Sequence, residues 1–489
     1  MTKQVLISVS SAPNDSRSLL SAATYAVASA GQRALTFLLL PLYTAVLSPA
    51  EYGRISILLS IGGAAAVLLA GGLDYSLNRR FFQLQDDSGA QWRFIRSVWR
   101  SLVCASAMIT IVAVGLALVF MHDSAVLKRT DVALALVGTA LFVAANTVPL
   151  AVLRAEQRLR DYLVLNMVSA VAATALTVIL VVGLGMGVTG WFAALIGANI
   201  AAFIAAVIIV PWGRLERFDG TGVRAAVALG LPLVPHFLAS WSLMLADRLV
   251  LSGLVTASAL GVYSLGANFA LPAMILVSAL SQGFIPTYAI AGMEAGSSKR
   301  LRATITLQAT VVVLIGCVTA LVGPPLAVMM APEEYAAGAA LIPWIALGYV
   351  FLGLYGIPMN AISMIAGRTR VIWLFTLLAA GTNIGLVYLL VPAQGLVGAA
   401  LAAAAGYFVL FVAVTLYAVG IRVGLSLDFA RLARVAVVAI TTYVAATLTT
   451  PATGLESVAL RSAWLLSLPI TTGLMTGIAM PLAISKHGS

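Results

Sequence analysis

The sequence is poor in charge: only 9% of its 489 residues are Asp, Glu, Lys or Arg, whereas roughly a quarter are charged in an ordinary soluble domain. Hydrophobic residues make up 61% of the chain, and a surface of that composition could not be kept in water. Apolar runs recur from Leu19 to Ile484, at lengths near the roughly 20 residues that a helix needs to cross a hydrocarbon core. Because lipid offers no partner to backbone amides, runs of this length must be helical. The sequence therefore predicts an all-α integral membrane protein.

Cysteine and histidine are scarce, with two and three residues. Cys104 and Cys317 lie inside apolar runs, where a thiol usually behaves as a small hydrophobe, so we predict neither a disulfide nor a metal site. A membrane glycosyltransferase or polymerase would need placed carboxylates, often with a metal, beside an extramembrane pocket. The outward acidic residues Glu333, Glu334 and Glu456 lie on short loops, Asp86 and Asp87 lie in a solvated inward loop, and the sequence shows no nucleophile and base constellation. We predict that the chain is not an enzyme and uses no cofactor.

The formal charge of +11 would suit a nucleic-acid ligand, but the distribution of the basic residues argues against one. Lys and Arg fall in small clusters at alternate gaps between the apolar runs, with 22 of the 28 on one side and six on the other. Basic residues are enriched in cytoplasmic loops, so this asymmetry predicts that both termini are cytoplasmic. Membrane topology accounts for the charge, and no nucleic-acid partner is predicted.

The apolar runs number about fourteen, and the outward connections are too short for a separate folded domain. The predicted organisation is two six-helix bundles followed by two additional transmembrane helices. The boundaries are 1–19 for a cytoplasmic N-terminal tail, 20–211 for the N-terminal bundle, 212–227 for a cytoplasmic linker, 228–420 for the C-terminal bundle, 421–431 for a cytoplasmic loop, 432–484 for the additional helices and 485–489 for a cytoplasmic tail.

The two bundles resemble each other in sequence at a constant offset of 208 residues. The landmarks that share this offset are Gly53 and Gly261, Ser56 and Ser264, Arg160 and Arg368, and the loops 187–190 and 395–398. Loops of small residues recur by chance in a glycine-rich chain, but several landmarks at one offset favour a duplication. Because each unit has six helices, an even number, both units enter the membrane in the same direction. In transporters with such a parallel repeat, the substrate path runs between the halves.

A further set of motifs follows the chain in a characteristic order and spacing. They are Gly31-Gln32-Arg33, Leu40-Pro41-Leu42-Tyr43, the stretch 47–53, Leu73-Asp74-Tyr75, Arg80-Phe81-Phe82, and the stretches 153–158, 230–236, 246–251, 353–358 and 391–400. Together they resemble the polysaccharide flippase family, the Wzx-like branch of the multidrug/oligosaccharidyl-lipid/polysaccharide exporter superfamily. The resemblance covers the first twelve predicted spans.

This resemblance implies two six-helix bundles around a cationic central cavity, in the bacterial cytoplasmic (inner) membrane. It implies a substrate made of an oligosaccharide repeat unit on a polyprenyl diphosphate, moved by alternating access for O-antigen, capsule or exopolysaccharide biosynthesis. The expected partners are this lipid-linked oligosaccharide and membrane lipids, with a polysaccharide polymerase and export machinery as further candidates.

Ionisable residues inside the apolar runs are candidates for the substrate path, because a charge in a transmembrane helix costs about 2.5 to 3.5 kcal/mol or more without compensation. Arg33, beside Gln32, lies near the middle of the first run. A guanidinium binds phosphate through two parallel hydrogen bonds, which suits a diphosphate. The alternative is a structural arginine paired with a neighbouring carboxylate or helix end.

Two further groups of charged residues lie toward the membrane faces. Asp247 and Arg248 fall toward the outer end of the seventh run and point about 100° apart on a helix, so they need not pair. Arg248 has the alternative of extending to the interface. Asp74 lies near the inner end of the second run, about one turn before Arg79 and Arg80, and these three are candidates for an inner mouth. For the two arginines topology alone is a sufficient explanation.

His236 in the seventh run is the candidate for ion coupling, because imidazole titrates near neutral pH as proton-coupled antiport requires. The alternative is a packing residue, the commoner role of a lone histidine on an apolar helix. Prolines that interrupt the runs are candidates for bends, although membrane helices tolerate proline without such a role. They are Pro232, Pro235, Pro272, Pro286 and Pro358.

Two rival functions come from the same superfamily. A multidrug or organic-cation antiporter would favour acidic residues in the cavity, whereas the clearest charge at mid-membrane is Arg33. A peptidoglycan-precursor flippase would use several cavity arginines, more than the sequence offers. Both stay open at this point, and an enzyme acting on the same lipid-linked sugars is the remote alternative.

Overall fold

The structure is a computed structural model, and it describes residues 37–84, 86–124, 127–212, 217–293, 298–424, 429–451, 454 and 456–465. Every regular element in these ranges is a helix, as the composition predicts. The α-helices are α1 (Leu40–Val46), α2 (Pro49–Ala70), α3 (Leu73–Gln83), α4 (Ser88–Phe120), α5 (Arg129–Ala155), α6 (Leu159–Thr177), α7 (Gly187–Ile209), α8 (Gly220–Gly230), α9 (Val234–Trp241), α10 (Asp247–Leu251), α11 (Ala257–Gly283), α12 (Ile285–Met293), α13 (Ser298–Met330), α14 (Ile342–Ala361), α15 (Ile372–Gly420) and α16 (Phe429–Thr449). Residues 456–465 are also helical.

Eleven helical segments of the described ranges are long and apolar enough to cross a membrane. The longest, α15, consists of two spans, because Gly395 within it has a non-helical backbone with φ 57° and ψ −139°. When α15 is divided at Gly395, the eleven segments become twelve, and these correspond to the predicted second to thirteenth spans. The predicted first span, 20–46, and last span, 460–484, lie mostly outside the described residues. The count of fourteen, the bundle boundaries and the orientation stay predictions, and the terms inner and outer below follow that orientation.

Some backbone features recur at the offset of 208 residues that the sequence landmarks share. Ser48 and Thr256 precede α2 and α11, and each side chain accepts a hydrogen bond from the amide three residues on. Such caps satisfy amides that the first turn of a helix leaves unpaired. Gly187 and Gly395 both have positive φ, at 55° and 57°, a conformation that glycine adopts without steric cost. The two halves therefore start and bend their helices at equivalent residues.

The bundles meet where α2 and α11 cross near their outer ends. Gly53 and Gly261 face each other there, and a Cβ atom on either would overlap a backbone carbonyl of the opposite helix. Small residues let membrane helices approach closely in this way. We call this crossing the outer seam and define it by Tyr52, Gly53 and Ser56 of α2 with Gly261, Ser264 and Asn268 of α11.

The helical segment Gly220–Leu251, which contains the seventh predicted span, 228–251, is divided between the bundles. Its inner part, α8, packs on α3 and α4, whereas α9 lies between α2 and α15, and α10 packs on α15. Pro232 stands in the short 3-10 turn between α8 and α9, since proline has no amide hydrogen with which to continue an α-helix. The predicted bend at Pro232 thus lies where the span passes from one bundle to the other.

Arginines of the predicted inner loops cap the inner end of α7. Arg158 Nη2 donates to the carbonyl of Ile209 at 3.2 Å, and Arg96 Nε donates to the carbonyl of Trp212 at 2.8 Å. Carbonyls at the end of a helix have no donor within it, so these two side chains supply what the backbone lacks. Beyond the duplicated part, α16 packs on α13 around a small apolar cluster that contains Cys317.

Candidate functional site

A small polar cavity lies inside the C-terminal bundle, between α10, α11, α14 and α15. Its polar lining consists of Asp247, Arg248, Tyr263, Tyr349 and Tyr407, and we call this the Arg248 pocket. Asp247 is 4% exposed, and the three tyrosines are 2% to 9% exposed, although they lie in the apolar core of the bundle. Ionisable side chains buried at membrane depth are rare, and they mark functional sites more often than packing.

The carboxylate of Asp247 is paired on both oxygens. The Tyr263 hydroxyl donates to Oδ2 at 2.6 Å, and the backbone amide and Nη1 of Arg248 donate to Oδ1 at 2.8 and 3.1 Å. Hydrogen bonds to a carboxylate are short and strong, so these three donors fix the position of the Asp247 side chain. Its capacity to accept from a ligand is largely used within the protein.

The side chain of Arg248 lines the pocket, is 13% exposed and pairs with the residue beside it. Its Nη1 donates to Asp247 and also to the carbonyl of Met244 at 3.1 Å, and its guanidinium carbon lies 6.0 Å from the centre of the Tyr263 ring. The pairing, which the sequence did not require, arises because the long side chain folds back one turn along its own helix. A guanidinium has five N–H donors, and the bonds seen among the described residues use Nη1.

Two further hydroxyls face the same cavity. Tyr349 of α14 and Tyr407 of α15 have ring centres 6.1 Å apart and both line the pocket. Within the described residues, neither hydroxyl has a hydrogen-bond partner. The Arg248 pocket therefore offers more unused donors than unused acceptors.

The N-terminal bundle has apolar residues at the positions that correspond to Asp247, Arg248 and Tyr263. At the offset of 208 residues, the counterparts are Leu39 for Asp247, Leu40 for Arg248 and Ile55 for Tyr263. Leu40 and Ile55 are only 3% and 2% exposed, so the same place in the first copy is packed with hydrocarbon. Buried charge pairs seldom stabilise a fold more than hydrocarbon of similar volume. The helix arrangement can be built without the charges, which indicates a role for them other than packing.

Sequence reasoning missed the three tyrosines. Tyr263 stands between Gly261 and Ser264 in a matched motif, where the first copy has Ile55, and this departure from the repeat was the available signal. Tyr349 and Tyr407 come from two other spans. No spacing in the sequence relates them to Asp247.

The pocket adjoins the outer seam through neighbouring residues of α11. Tyr263 holds Asp247, while the next residue, Ser264, hydrogen-bonds to Ser56 of α2 with 2.8 Å between the two Oγ atoms. One turn further, Asn268 Nδ2 donates to the Tyr52 hydroxyl at 2.6 Å. One turn of α11 therefore contacts both the charged pocket and the other bundle.

The candidates for an inner mouth lie away from this pocket, on α3. Asp74 is half-buried in the first turn of that helix, and Arg79 is exposed. The guanidinium of Arg80 lies 5.6 Å from the centre of the Phe94 ring, a distance typical of a cation–π contact. Within the described residues these side chains are not brought together with the Arg248 pocket. An inner-mouth role for them stays a prediction.

His236 is half-buried in α9, with its ring centre 5.7 Å from that of Phe237. Its role in ion coupling stays a prediction. Gln32 and Arg33 lie outside the described residues. Among the residues that the structure does describe, no group of three or more His, Cys, Asp or Glu side chains is placed to hold a metal ion.

A family model described as a polysaccharide biosynthesis protein matches residues 19–290, more than half of the chain. The chain belongs to this family. The match confirms the resemblance that the order of the sequence motifs indicates. No curated protein matches the chain.

The solved structures that resemble this family member include several transporters. The lipid II flippase MurJ, in an inward closed conformation, has a TM-score of 0.73 at 12% identity, over 92% of this chain and 97% of that chain. An inward-facing multidrug resistance MATE family transporter of the MOP superfamily has a TM-score of 0.66 at 14% identity, over 78% and 92%. A MOP superfamily transporter from Pyrococcus furiosus, described as having a binding pocket of reversed polarity, has a TM-score of 0.59 at 16% identity, over 82% and 95%. The chain has the fold of these helical membrane transporters.

Proposed function

We propose that this protein is a flippase that moves an oligosaccharide repeat unit, linked to a polyprenyl diphosphate, across the bacterial cytoplasmic membrane for surface polysaccharide biosynthesis. Membership of the polysaccharide biosynthesis family supports the pathway, and the transporter fold supports movement across a membrane. The observation that carries the proposal is the Arg248 pocket, which presents N–H and O–H donors inside a membrane-spanning bundle.

The chemistry of the pocket suits a phosphorylated sugar carrier. A diphosphate has only acceptor oxygens at neutral pH, and its charge must be compensated when it leaves water. The guanidinium of Arg248 can bind two of those oxygens in parallel, and the hydroxyls of Tyr349 and Tyr407 can donate to others or to sugar oxygens. An organic cation would need an unpaired acceptor, and the carboxylate of Asp247 already accepts three hydrogen bonds.

Alternating access in this proposal is a parting of the outer seam. Toward the inner side the bundles turn to different neighbours: α3 packs on α5 and α8, whereas α12 packs on α13 and on the π-helical segment Ile362–Ala366. At the inner side, α3 and α12 thus have different neighbours, and in this proposal the headgroup enters from that side. Export then requires the contacts of the seam to break.

The finer features of the function belong to the same proposal. We propose that both termini are cytoplasmic, that the membrane is the bacterial inner membrane, and that the product is O-antigen, capsule or exopolysaccharide. Polysaccharide polymerase and export machinery are the proposed partners downstream. Gln32 and Arg33 are proposed to line the path together with Asp74, Arg79, Arg80, Asp247 and Arg248, with His236 as the coupling residue.

The proposal is tested by deletion in the native host. We expect oligosaccharide linked to polyprenyl diphosphate to accumulate on the cytoplasmic leaflet, and we expect surface polysaccharide to disappear. Complementation with Arg248→Gln should fail at normal protein levels, whereas the matched control Arg129→Gln, an exposed arginine outside the pocket, should restore export. Arg33→Ala and Arg33→Lys extend the same assay to the first span.

The same assay separates the rival functions. Accumulation of peptidoglycan precursors in place of repeat units would assign the chain to the precursor-flippase alternative, whose carrier has the same diphosphate chemistry. Loss of drug resistance with unchanged polysaccharide would assign it to the antiporters. Either result would reject the proposed substrate.

A further inference from the structure

The pairing of Asp247 with Arg248 poses a problem for any anion that is to bind there. Arg248 is the cation of the pocket, and its Nη1 is already engaged by a carboxylate of the same helix at 3.1 Å. The side chains of Arg248 and Asp247 are only 13% and 6% exposed, so water solvates neither charge well. A ligand phosphate must therefore displace the carboxylate or share the guanidinium with it.

We propose that Asp247 is a displaceable internal anion, which competes with the phosphate of the ligand for Arg248 and so limits how tightly the ligand is held. The inference rests on the proposed function, because it assumes a phosphorylated ligand in this pocket. Exchange of one anion for another keeps the buried guanidinium compensated at every step. An unpaired buried charge, by contrast, would be strongly unfavourable.

Tyr263 makes the exchange feasible. Its hydroxyl, 2.6 Å from Oδ2, continues to donate to Asp247 when Arg248 turns to a ligand. The carboxylate is then left with a strong hydrogen bond, so the cost of its desolvation is reduced. Arg248 can pivot without leaving the pocket, since its side chain folds back toward Met244 and has donors beyond Nη1.

The duplication supports a functional origin for this pair. The equivalent positions of the first bundle are Leu39 and Leu40, in the same helix arrangement. A bundle that needed only a filled core would use hydrocarbon in both copies. The second bundle therefore contains a charge pair that packing alone does not require.

Binding of farnesyl diphosphate to the purified full-length protein in detergent tests the inference, with inorganic pyrophosphate as the headgroup-only probe. We expect Asp247→Asn to tighten binding of the lipid diphosphate about tenfold, equivalent to about 1.4 kcal/mol, because the competitor is neutral and nearly isosteric. Tyr263→Phe should weaken it, because the displaced carboxylate loses its remaining donor. A role in folding alone would not move the two affinities in opposite directions.

The matched control is Asp131→Asn, a carboxylate 3% exposed in the N-terminal bundle that accepts a hydrogen bond from Thr189. It should leave the affinity unchanged. If Asp247→Asn raises the affinities for pyrophosphate and for farnesyl diphosphate by the same factor, the effect arises at the diphosphate headgroup, as proposed. Weaker binding in Asp247→Asn would overturn the inference, since Asp247 would then position Arg248 for the ligand.

Failure of the inference is distinguishable from failure of the proposed function. If Arg248→Gln abolishes binding while Asp247→Asn has no effect, the diphosphate site stands and the competition is rejected. If neither probe binds to the wild-type protein, to Arg248→Gln or to Asp247→Asn, the proposal of a phosphorylated substrate is rejected. Tyr263→Phe, which removes one oxygen atom, provides the test should Asp247→Asn fail to fold.

Discussion

Arg461 donates from Nη1 to the carbonyl oxygen of Leu321 at 3.2 Å, and that carbonyl lacks its ordinary helical donor because the residue four positions on is Pro325. The side chain is 6% exposed, and its other nitrogens donate to Thr450 Oγ1 at 3.0 Å and to the carbonyl of Pro451 at 3.3 Å. One arginine thus joins α13 to the turn after α16 and satisfies an acceptor that a proline has left unpaired.

We predict that Arg461→Ala destabilises the folded protein by about 1 to 3 kcal/mol, the cost of leaving a buried carbonyl without a partner. Pro325→Ala restores an amide hydrogen at the position from which a helix would donate to Leu321. In that background Arg461→Ala should therefore cost less. Thermal unfolding of the four proteins in detergent measures the coupling, and strictly additive effects would show that the Arg461 to Leu321 bond contributes nothing.

This contact also shows where sequence reasoning stops. The helical spans follow from local composition, because an apolar run of sufficient length has no other way to satisfy its backbone. In the sequence, Arg461 is only one of the six basic residues on the predicted outer side. Its partner is 140 residues away, so nothing in its own neighbourhood indicates the contact.

Of the sequence features, the repeat indicated the most about residues that are far apart in the chain but close in the structure. Gly53 and Ser56 were matched to Gly261 and Ser264 as copies, and the structure places the copies in contact with each other. The Arg248 pocket could not be assembled in the same way, since its tyrosines belong to three different spans. Only Tyr263 left a signal, as a departure from an otherwise matched motif.

We predict that Gly53→Ala disrupts the outer seam. A Cβ atom at this position would overlap the carbonyl oxygen of Ala257, which is backbone and cannot rotate away, so α2 and α11 must separate. Overpacking of this kind typically destabilises by about 1 to 3 kcal/mol, and transport should fall with it. The matched control is Gly115→Ala in α4, where an added Cβ meets nothing within 4 Å. Equal melting temperatures for the two variants would contradict a close approach at Gly53.

We predict that the acid stability of the inner face depends on Asp219. This residue caps α8: its Oδ1 accepts from the amide of Gly222 at 2.8 Å, and its own amide donates to Ser97 of α4 at 2.9 Å. The hydrogen bond from Gly222 holds the pKa of Asp219 below its ordinary value of 3.8. The carboxylate therefore contributes stability that is fully present above that value and is lost as the pH falls through the lower, folded pKa.

The check on Asp219 is thermal unfolding as a function of pH, with Asp219→Asn and Asp219→Ala. Loss of the cap in Asp219→Ala should cost about 1 kcal/mol at neutral pH, and Asn should retain most of it. As the pH falls from the ordinary pKa through the lower, folded pKa, the wild-type protein should lose its advantage over Asp219→Asn, because its carboxyl group becomes protonated. A gap between those two proteins that is independent of pH would mean that the charge of Asp219 plays no part.

The hydrogen bond between Ser56 and Ser264 gives a direct test of movement at the outer seam. The two Oγ atoms are 2.8 Å apart, so cysteines at both positions should form a disulfide under mild oxidation, in a protein whose Cys104 and Cys317 have been replaced. If export requires the bundles to part here, the oxidised protein should lose transport and reduction should restore it. The single variants Ser56→Cys and Ser264→Cys should transport under both conditions. Undiminished transport by a fully cross-linked protein would place the moving interface elsewhere, because a covalent bond between α2 and α11 leaves no freedom for this seam to open.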